Sequence, residues 1–282
     1  MRKTLNCNGK LVCVSHPMVM GIVNVTPDSF YDGGCNNTEA GLLKRCEAII
    51  TEGGDIIDLG AVSTRPGAQE VDAAEELKRL DFALSCMRKH YPAAIISVDT
   101  YRATVAKAVV ENYAVDIIND ISAGTLDDRM FETVAALNVP YVLMHLHGTP
   151  RTMQENPVYS HLIEDIIGYF LKYVSRLRKL GVRDIIIDPG FGFGKTIEHN
   201  YEILRRLKDL EIFELPILVG LSRKSMIYKI LKTDAAHALT GTTVLNTLAL
   251  MNGANLLRVH DVKEAVESVK IVQKVFENNP EY

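Results

Sequence analysis

Short runs of β-branched and other apolar residues recur along this chain, separated by longer stretches in which the apolar residues follow a helical spacing. Such runs, bounded by turn-forming residues, are typical of strands buried on both faces of a parallel sheet. The strand candidates are Val19–Val25, Asp55–Leu59, Ala94–Val98, Val115–Ile118, Tyr141–Met144, Asp184–Ile187, Ile217–Val219 and Leu256–Val259. Eight strands that alternate with helices predict an α/β fold, the (β/α)8 TIM barrel, and the alternative is a doubly wound open sheet.

Three of the intervening stretches carry an apolar stripe with the spacing of one helix face. The stripes are Leu42, Leu43, Cys46, Ile49 and Ile50, then Leu77, Leu80, Leu84 and Met87, and then Leu162, Ile163, Ile166, Phe170, Val174 and Leu177. Before the first strand, Asn8-Gly9 lies between Leu5 and the apolar run 11–14, which is a hairpin signal. We therefore expect an N-terminal β-hairpin that closes the N-terminal end of the barrel.

Composition limits the class of protein further. The chain has 282 residues, 47% of them apolar, and no low-complexity linker divides it, so we expect a single domain over residues 1–282. No apolar run reaches the roughly 18 residues of a membrane span, and the N-terminus lacks the apolar core of a signal peptide. Five cysteines without metal-ligand spacing indicate reduced thiols, and a net charge of −4 gives no nucleic-acid footprint. These features predict a cytoplasmic protein that binds neither membranes nor nucleic acid.

A polar residue stands at or near the end of every candidate strand. These residues are Asn24, Asp58, Asp99, Asn119, His145, Asp188, Ser222 and Arg258. Because the carboxyl ends of all strands in a parallel barrel face one rim, and barrel enzymes carry their active sites there, the pattern predicts a polar active site at that rim.

The stretch DIIIDPGFGFGK, from Asp184 to Lys195, is the sharpest example of this pattern. Ile185 to Ile187 form a buried strand, Asp188 ends it, and Pro189 prevents further ladder pairing. A carboxylate between a buried strand and a glycine-rich loop is costly unless a partner binds it. An aspartate that only caps the turn is the structural alternative.

The charges of these residues indicate a ligand class. Asp99, Asn119 and Asp188 offer acceptors and an amide that suit a flat heterocycle with several N–H donors, such as a purine or a pterin. Positive charge comes from Arg65, Lys224, Arg258 and His260. Ser222 is expected where the helix after the seventh strand begins, so that backbone N–H groups there can bind an anion. The residues therefore suggest a nitrogen heterocycle that carries a phosphate or diphosphate.

The ordered motifs resemble the dihydropteroate synthase family. They are MGIVNVTPDSFYDGG (20–34), DIIDLGAVSTRPGA (55–68), SVDT (97–100), INDIS (118–122), MHLHGTPRTMQ (144–154), DPGFGFGK (188–195), GLSRKS (220–225) and RVHDV (258–262). Each motif alone is a weak signal, but the set follows the order of the family over nearly the whole chain.

The resemblance implies a reaction and a set of roles. The family condenses p-aminobenzoate with 6-hydroxymethyl-7,8-dihydropterin diphosphate to give dihydropteroate and pyrophosphate in folate synthesis, and it is the target of sulfonamides. The implied pterin-binding residues are Asp99, Asn119, Asp188 and Lys224. Arg258 and His260 would bind the diphosphate, and Asn24 would bind Mg²⁺ on it. The implied aminobenzoate side consists of Thr64, Arg65 and Ser222, with the apolar walls Phe30, Pro66 and Phe193 and the neighbouring Gly220. The resemblance also implies a homodimer.

Two positions depart from the family pattern. Ala61-Val62 stands where the family usually has Gly-Glu, which puts the role of that glutamate in doubt. His147 precedes Gly148 where other members often have another residue. His145 and His147 are left without an assigned role, because a histidine at such a place is more often a structural group than a ligand. Cys35, in the first loop, is expected to be a bystander rather than a nucleophile.

Three other functions remain open at this point. One is a pterin-binding barrel that transfers a methyl group from methyltetrahydrofolate to a corrinoid, which would not need Thr64, Arg65 or the 222–224 set. Another is an inactive relative that only binds a pterin. The weakest is a barrel aldolase with Lys224 as a Schiff base, because Arg223 and Arg258 suit anion binding equally well.

Overall fold

The computed structural model describes residues 3–26, 38–62, 71–148, 153 and 157–277. After a hairpin of β1 (Thr4–Cys7) and β2 (Lys10–Cys13), eight parallel strands follow. They are β3 (Met18–Asn24), β4 (Ile56–Gly60), β5 (Ile95–Asp99), β6 (Ile117–Asp120), β7 (Tyr141–Met144), β8 (Ile185–Asp188), β9 (Leu218–Val219) and β10 (Leu256–Val259). The predicted boundaries agree with these to within two residues.

The eight strands close into a barrel. Their order is β8-β7-β6-β5-β4-β3-β10-β9, so β8 and β9 are the edge strands of the ladder. A parallel bridge between Ile187 and Ile217 joins these edges, and the amide of Ile187 donates to the carbonyl of Pro216 at 2.9 Å. Closure confirms the barrel and rules out the open-sheet alternative.

The predicted hairpin is present and lies at the N-terminal end of the barrel. Asn8 and Gly9 have φ angles of 48° and 83°, the left-handed conformations that a two-residue type I′ turn requires. Leu5 and Cys7 pack inside the barrel on Met18 and Met20 of β3 and their neighbours. The hairpin therefore closes this end of the barrel with apolar side chains.

Helices surround the barrel. They are α1 (Glu39–Thr51), α2 (Ala73–His90), α3 (Ala103–Tyr113), α4 (Met130–Leu137), α5 (Leu162–Lys179), α6 (Ile197–Arg205), a 3-10 helix (Leu207–Phe213), α7 (Ser225–Tyr228), α8 (Leu239–Met251) and α9 (Val262–Phe276). The three predicted stripes lie on α1, α2 and α5 and face the sheet, although Ile50 is 40% exposed. Among the described residues, no helix is long and apolar enough to span a membrane.

Strand alternation places the polar residues inside the barrel. On β8, Ile185 and Ile187 pack outward against the helices, whereas Ile186 packs into the barrel interior. Asp188, two residues beyond Ile186, shares its interior face because side chains on a strand alternate with a period of two. The same spacing separates Ile56 from Asp58 on β4. It also relates Ile117 to Asn119 and Leu256 to Arg258.

Candidate active site

Arg258 is the centre of a polar network in the barrel interior. Its Nε donates to Asp58 Oδ2 at 2.7 Å, and its Nη2 donates to Asp99 Oδ2 at 2.8 Å. Asn119 Nδ2 lies 3.3 Å from Asp58 Oδ2, so the amide joins the same network. β10, β3, β4, β5 and β6 are successive neighbours in the sheet, which brings these side chains together. The structure therefore connects three of the predicted site residues and adds Asp58.

Burial and charge set the protonation of this network. Desolvation raises the pKa of Asp99 to about 7, with the guanidinium of Arg258 opposing the shift and the carboxylate of Asp58 adding to it. Burial alone would lower the pKa of Arg258, but the two carboxylates raise it above its usual value, so Arg258 stays charged. Asp99 retains 18% side-chain exposure, and a ligand can reach it.

Asp188 lies at the end of β8, where its Oδ1 accepts the amide of Gly190 at 2.7 Å. Desolvation raises the pKa of Asp188, and the ammonium of Lys224 opposes the shift. Gly190 is required here because its φ is +69° and a Cβ would lie 2.1 Å from the carbonyl oxygen of His145. The glycine-rich loop therefore packs on the end of β7, and its Gly190 amide binds Asp188. Asp188 can make this turn contact and still bind a ligand in the site.

Lys224 lies over this loop. Its Nζ donates to the carbonyl of Phe191 and lies 5.0 Å from the ring centroid of Phe193. Desolvation lowers the pKa of Lys224 to about 8, and the charge of Asp188 counteracts part of the shift. Lys224 is consequently a half-buried cation next to a carboxylate and an aromatic wall.

Ser222 and His260 contact each other at the end of the barrel next to Arg258. Ser222 Oγ accepts the amide of His260 at 3.2 Å and lies 3.0 Å from its Nδ1. Arg45, on α1, donates to the carbonyl of His260 at 2.7 Å and fixes this turn from outside. Together these contacts hold the imidazole at the mouth.

Two expectations about this corner are wrong. The helix after the seventh barrel strand begins at Ser225 rather than at Ser222, because Arg223 takes a left-handed φ of 57° and turns the chain first. His260 is not a cation, since burial and the charge of Arg258 lower its pKa to about 3. Ser222 and His260 thus offer neutral hydrogen-bonding groups.

Arg223 does not serve as an anion site. Its Nε donates to Asp261 Oδ2 at 2.8 Å, its Nη2 binds the other carboxylate oxygen, and its Nη1 donates to the carbonyls of Ala235 and Ala236. These contacts attach the loop before α8 to the start of α9. Its charge is compensated, which weakens the case that Arg223 and Arg258 act together on an anion.

His145 has a structural position. Its Nδ1 lies 2.9 Å from the Nζ of the buried Lys195, whose Nζ also donates to the carbonyl of Phe193 at 2.8 Å. Burial and Lys195 lower the pKa of His145 to about 2, and burial lowers the pKa of Lys195 to about 7. His147 is exposed, and its ring lies 5.1 Å from that of Tyr159.

Asn24 and Gly220 complete the described rim. Asn24 ends β3, and its Oδ1 would lie 3.4 Å from a Cβ added at Gly60. A Cβ at Gly220 would lie 3.8 Å from Lys224 Nζ and 3.9 Å from Arg258 Cβ, so this backbone stands between the two cations. No group of three or more His, Cys, Asp or Glu side chains in the described part of the chain could hold a metal ion.

Several predicted residues lie outside the described residues. They are Phe30, Thr64, Arg65 and Pro66, together with Cys35. At the departure from the family pattern, Ala61 is fully buried and its carbonyl accepts Arg79 Nη1 at 3.1 Å, while Val62 is half-buried.

Sequence reasoning placed Asp58 at a strand end but gave it no role. The sequence signal for a role of Asp58 is a carboxylate inside the apolar run IIDLG, two residues after the inward-facing Ile56. A buried carboxylate needs a partner. The sequence does not name that partner, which is Arg258.

A closed parallel barrel with paired carboxylates and cations at its carboxyl end defines a TIM-barrel enzyme with a site for a charged small molecule. The family model described as pterin binding enzyme matches residues 20–260. The dihydropteroate synthase of Escherichia coli K12 is 41% identical over 271 residues, which cover 95% of each chain. This chain belongs to the pterin-binding enzymes and, within them, to the dihydropteroate synthase family.

Solved structures agree with this assignment. A Yersinia pestis dihydropteroate synthase in complex with a sulfonamide drug has a TM-score of 0.93 and 39% identity, covering 98% of this chain and all of that one (100%). A Xanthomonas albilineans dihydropteroate synthase with 4-aminobenzoic acid has a TM-score of 0.90 and 35% identity, with coverage of 99% and 100%.

Proposed function

We propose that this chain catalyses the dihydropteroate synthase reaction, in which p-aminobenzoate replaces the diphosphate of 6-hydroxymethyl-7,8-dihydropterin diphosphate in folate biosynthesis. One observation carries the proposal: the acceptors that suit pterin N–H groups lie in hydrogen-bonding contact with a cation that suits a diphosphate. Asp99 and Arg258 are 2.8 Å apart at the mouth of the barrel. A substrate that joins a pterin to a diphosphate matches this juxtaposition.

The relatives support the same reaction over the alternatives. The Xanthomonas structure contains 4-aminobenzoic acid, and a Clostridium difficile homologue of 35% identity was solved in the presence of pteroic acid. Neither of these two relatives is named as a methyltransferase or as an inactive pterin-binding protein. The aldolase alternative loses its support, since Lys224 Nζ donates to the carbonyl of Phe191 and lies beside the ring of Phe193, where it suits a hydrogen-bond donor to a ligand.

On the pterin side, Asp188, Asn119 and Asp99 would pair with the N–H groups of the ring. Lys224 would donate to a ring acceptor from the wall formed by Phe193. Carboxylates that accept hydrogen bonds from N–H groups form the stronger, charge-assisted type of contact. These side chains would hold the reacting methylene in one place and offset positive charge that develops on the ring.

On the diphosphate side, Arg258 and His260 would bind the leaving group. Arg258 would bring positive charge, whereas the neutral imidazole of His260 would bring one N–H donor. Fixed donors aimed at charge that develops during departure stabilise the transition state. In the aminobenzoate part, Ser222 would act together with the predicted residues Thr64, Arg65, Phe30 and Pro66.

We also propose that Mg²⁺ accompanies the diphosphate. The two described cations of the site, Lys224 and Arg258, face three carboxyl groups (Asp58, Asp99, Asp188), so the side chains leave little unbalanced positive charge for a bare diphosphate. Asn24 offers a carbonyl oxygen, the ligand type that Mg²⁺ accepts, and the ion commonly keeps waters and substrate phosphates as its other ligands. Bound there, it would supply charge to the departing diphosphate.

The steps balance without a protein nucleophile. The C–O bond between the methylene carbon and the diphosphate breaks, and its electron pair leaves with pyrophosphate. The methylene cation is delocalised into the electron-rich pterin ring, next to the carboxylates of Asp99 and Asp188. The amine nitrogen of p-aminobenzoate then attacks this carbon, and the proton that it loses passes to the released pyrophosphate. Exclusion of water from the site during the reaction would protect the cation from hydrolysis.

The test is an assay for pyrophosphate release from the pterin diphosphate, with and without p-aminobenzoate. Arg258→Ala and His260→Ala should both weaken binding of the diphosphate ester more than binding of a pterin that lacks phosphates. The expected loss is about 1.5–3 kcal/mol for the charge-assisted contact of Arg258 and smaller for the neutral His260. Arg206→Ala, which removes an arginine paired with Asp209 far from the site, is the matched control and should change neither. Equal losses for both ligands would contradict the assignment of Arg258.

The proposed dependence on Mg²⁺ can be tested separately, by measuring the affinity for pyrophosphate. Pyrophosphate alone should bind weakly to the wild-type chain, and added Mg²⁺ should strengthen binding in calorimetry. Asn24→Ala should reduce the strengthening, whereas affinity for the phosphate-free pterin should stay the same. Equal pyrophosphate affinity with and without Mg²⁺ would contradict the proposal.

We also propose that the protein is a homodimer and that it is located in the cytoplasm. Helices α8 and α9 expose apolar side chains, among them Val244 (53%), Ile271 (65%) and Val275 (68%), which supports a homodimer through this face. The described cysteines Cys7, Cys13, Cys46 and Cys86 are free thiols, which supports a reducing, cytoplasmic environment. Light scattering of the chromatographed protein tests the dimer, and Ile271→Asp should then give a monomer.

A further inference from the structure

Asp58 differs from the other buried aspartates in the groups that it binds. Asp120 accepts the amides of Ser122 and Gly124, and Asp116 accepts the amide of Ile96. These aspartates hold backbone turns and strand ends in place. Asp58, in the middle of β4, accepts no backbone amide among the described residues.

Both groups that donate to Asp58 belong to the proposed ligand site. Arg258 Nε lies 2.7 Å from its Oδ2, and Asn119 Nδ2 lies 3.3 Å from the same oxygen and 3.4 Å from Oδ1. Asp58 has no exposed surface, so neither water nor a ligand reaches it. A carboxylate in such a place is costly and needs a reason that strand packing does not supply.

The contact with Nε constrains the orientation of Arg258. Because a guanidinium is planar, a bond to Nε and a second bond from Nη2 to Asp99 fix the plane of the group. Nη1 donates to no acceptor within the described ranges, so its donors are available to an anion. Asp99 is 18% exposed and accessible to a pterin, whereas Asp58 is 0% exposed. The bond to Asp99 can therefore exchange, and the bond to Asp58 stays.

We propose that Asp58 is a positioning residue that orients both Arg258 and Asn119, and so sets the diphosphate-binding and pterin-binding groups relative to each other. The inference rests on the proposed function. When the pterin takes over Asp99, Nη2 becomes available to the diphosphate while Nε remains on Asp58. The reaction then depends on a residue that never touches the substrate.

The variant Asp58→Asn separates positioning from neutralisation, because the two roles predict opposite signs. If Asp58 only neutralised Arg258, its removal would make the site more positive, and pyrophosphate with Mg²⁺ would bind more tightly. If Asp58 positions Arg258, pyrophosphate with Mg²⁺ should bind about 10- to 100-fold more weakly in calorimetry. The KM for the pterin diphosphate should rise with it.

A double-mutant cycle tests whether the effect passes through Arg258. In the Arg258→Ala background, Asp58→Asn should change pyrophosphate affinity by less than about threefold, because the group that it positions is gone. Asp116→Asn is the matched control, since Asp116 is also buried and binds an arginine, Arg88, at 3.0 Å. It should lower stability and leave pyrophosphate affinity unchanged.

The outcomes decide in either direction. Tighter or unchanged pyrophosphate binding in Asp58→Asn, or an undiminished effect in the Arg258→Ala background, overturns the proposal. These results leave the proposed function intact if the wild type still releases pyrophosphate in the presence of p-aminobenzoate. If Asp58→Asn does not fold, arginine NMR of the wild type decides. The Nε–H signal of Arg258, assigned by its loss in Arg258→Ala, should stay protected from exchange with pyrophosphate and Mg²⁺ bound, and loss of protection overturns the proposal.

Discussion

The two ends of the barrel interior are built from the same strands and have opposite chemistry. At the N-terminal end the interior is an apolar plug. It consists of Leu5, Cys7, Val14, Met18, Met20, Ile56, Ile117, Val142, Ile186, Leu218 and Leu256. Two residues further along the strands, the interior contains Asp58, Asn119, Asp188 and Arg258. Within one two-residue repeat of the strands, the barrel interior therefore changes from close-packed apolar side chains to paired charges.

This difference separates stability from ligand binding. Apolar side chains in the plug are removed from water completely, and their burial favours folding. Burying the charged layer costs the free energy of its hydration, and the hydrogen bonds within the network offset only part of that cost. The layer therefore contributes little to folding but offers oriented charges to a ligand. Substitutions at adjacent interior positions of one strand should then affect different properties.

The largest effect is expected at the plug. Ile186→Ala removes a fully buried side chain of β8, and the cavity it leaves should lower the free energy of unfolding by about 2–5 kcal/mol. Urea unfolding monitored by circular dichroism measures the change. Pterin affinity of the folded variant at low temperature should stay within about twofold of the wild type. A pterin affinity that falls together with stability would show that the two layers are not independent.

Two residues further along β8, Asp188→Asn should have the reverse effect. The amide places a donor against a donor of the pterin, so the affinity for a phosphate-free pterin should fall by about 1–3 kcal/mol, or roughly 5- to 150-fold. The turn hydrogen bond from Gly190 can be kept by the amide oxygen, and the unfolding transition should move little. Unchanged pterin affinity in calorimetry would remove Asp188 from the site.

Local patterns account for what the sequence predicts well. Apolar runs and strand alternation depend on neighbouring residues, and they give the eight strands, the hairpin and the polar rim. Contacts within the rim depend on residues far apart in sequence: Arg258 is 200 residues from Asp58 and 159 from Asp99. The neutral state of His260 depends on burial and on Arg258, so no local pattern predicts it. The late start of α7 depends on one left-handed residue, Arg223.

An intermediate effect is expected from pH, because the polar layer contains a half-buried histidine that is held without charge. His260 has a pKa of about 3 in the folded chain, against about 6.5 when unfolded. Between these values the unfolded chain binds more protons, so the free energy of unfolding falls as pH is lowered below about 6.5. In His260→Asn the loss between pH 7 and pH 5 should be smaller than in the wild type by about 1–2 kcal/mol.

The control for the pH experiment is a histidine at the surface. His16 is exposed and its side chain has no hydrogen-bond or ion-pair partner within the described ranges, so His16→Asn should keep the wild-type pH dependence of unfolding. If His260→Asn also keeps it, His260 is not neutral in the folded chain, and its role as a neutral donor at the diphosphate would have to be abandoned.

The smallest effect concerns the wall beside the polar layer, where a charge and an apolar surface meet. Phe193 packs on the cluster of Ile121, Met144 and their neighbours, and its ring lies 5.0 Å from Lys224 Nζ. A cation over an aromatic face is worth about 0.5–2 kcal/mol, more when both are removed from water. Phe193→Leu keeps an apolar wall but removes this attraction, so Lys224 should be held less firmly and pterin affinity should fall by about two- to fivefold. Phe213→Leu, a ring in the outer core against Phe170, is the control and should lower stability without changing pterin affinity. If both variants leave pterin affinity unchanged, Phe193 acts on Lys224 only as apolar surface, and the boundary between the two layers is set by packing alone.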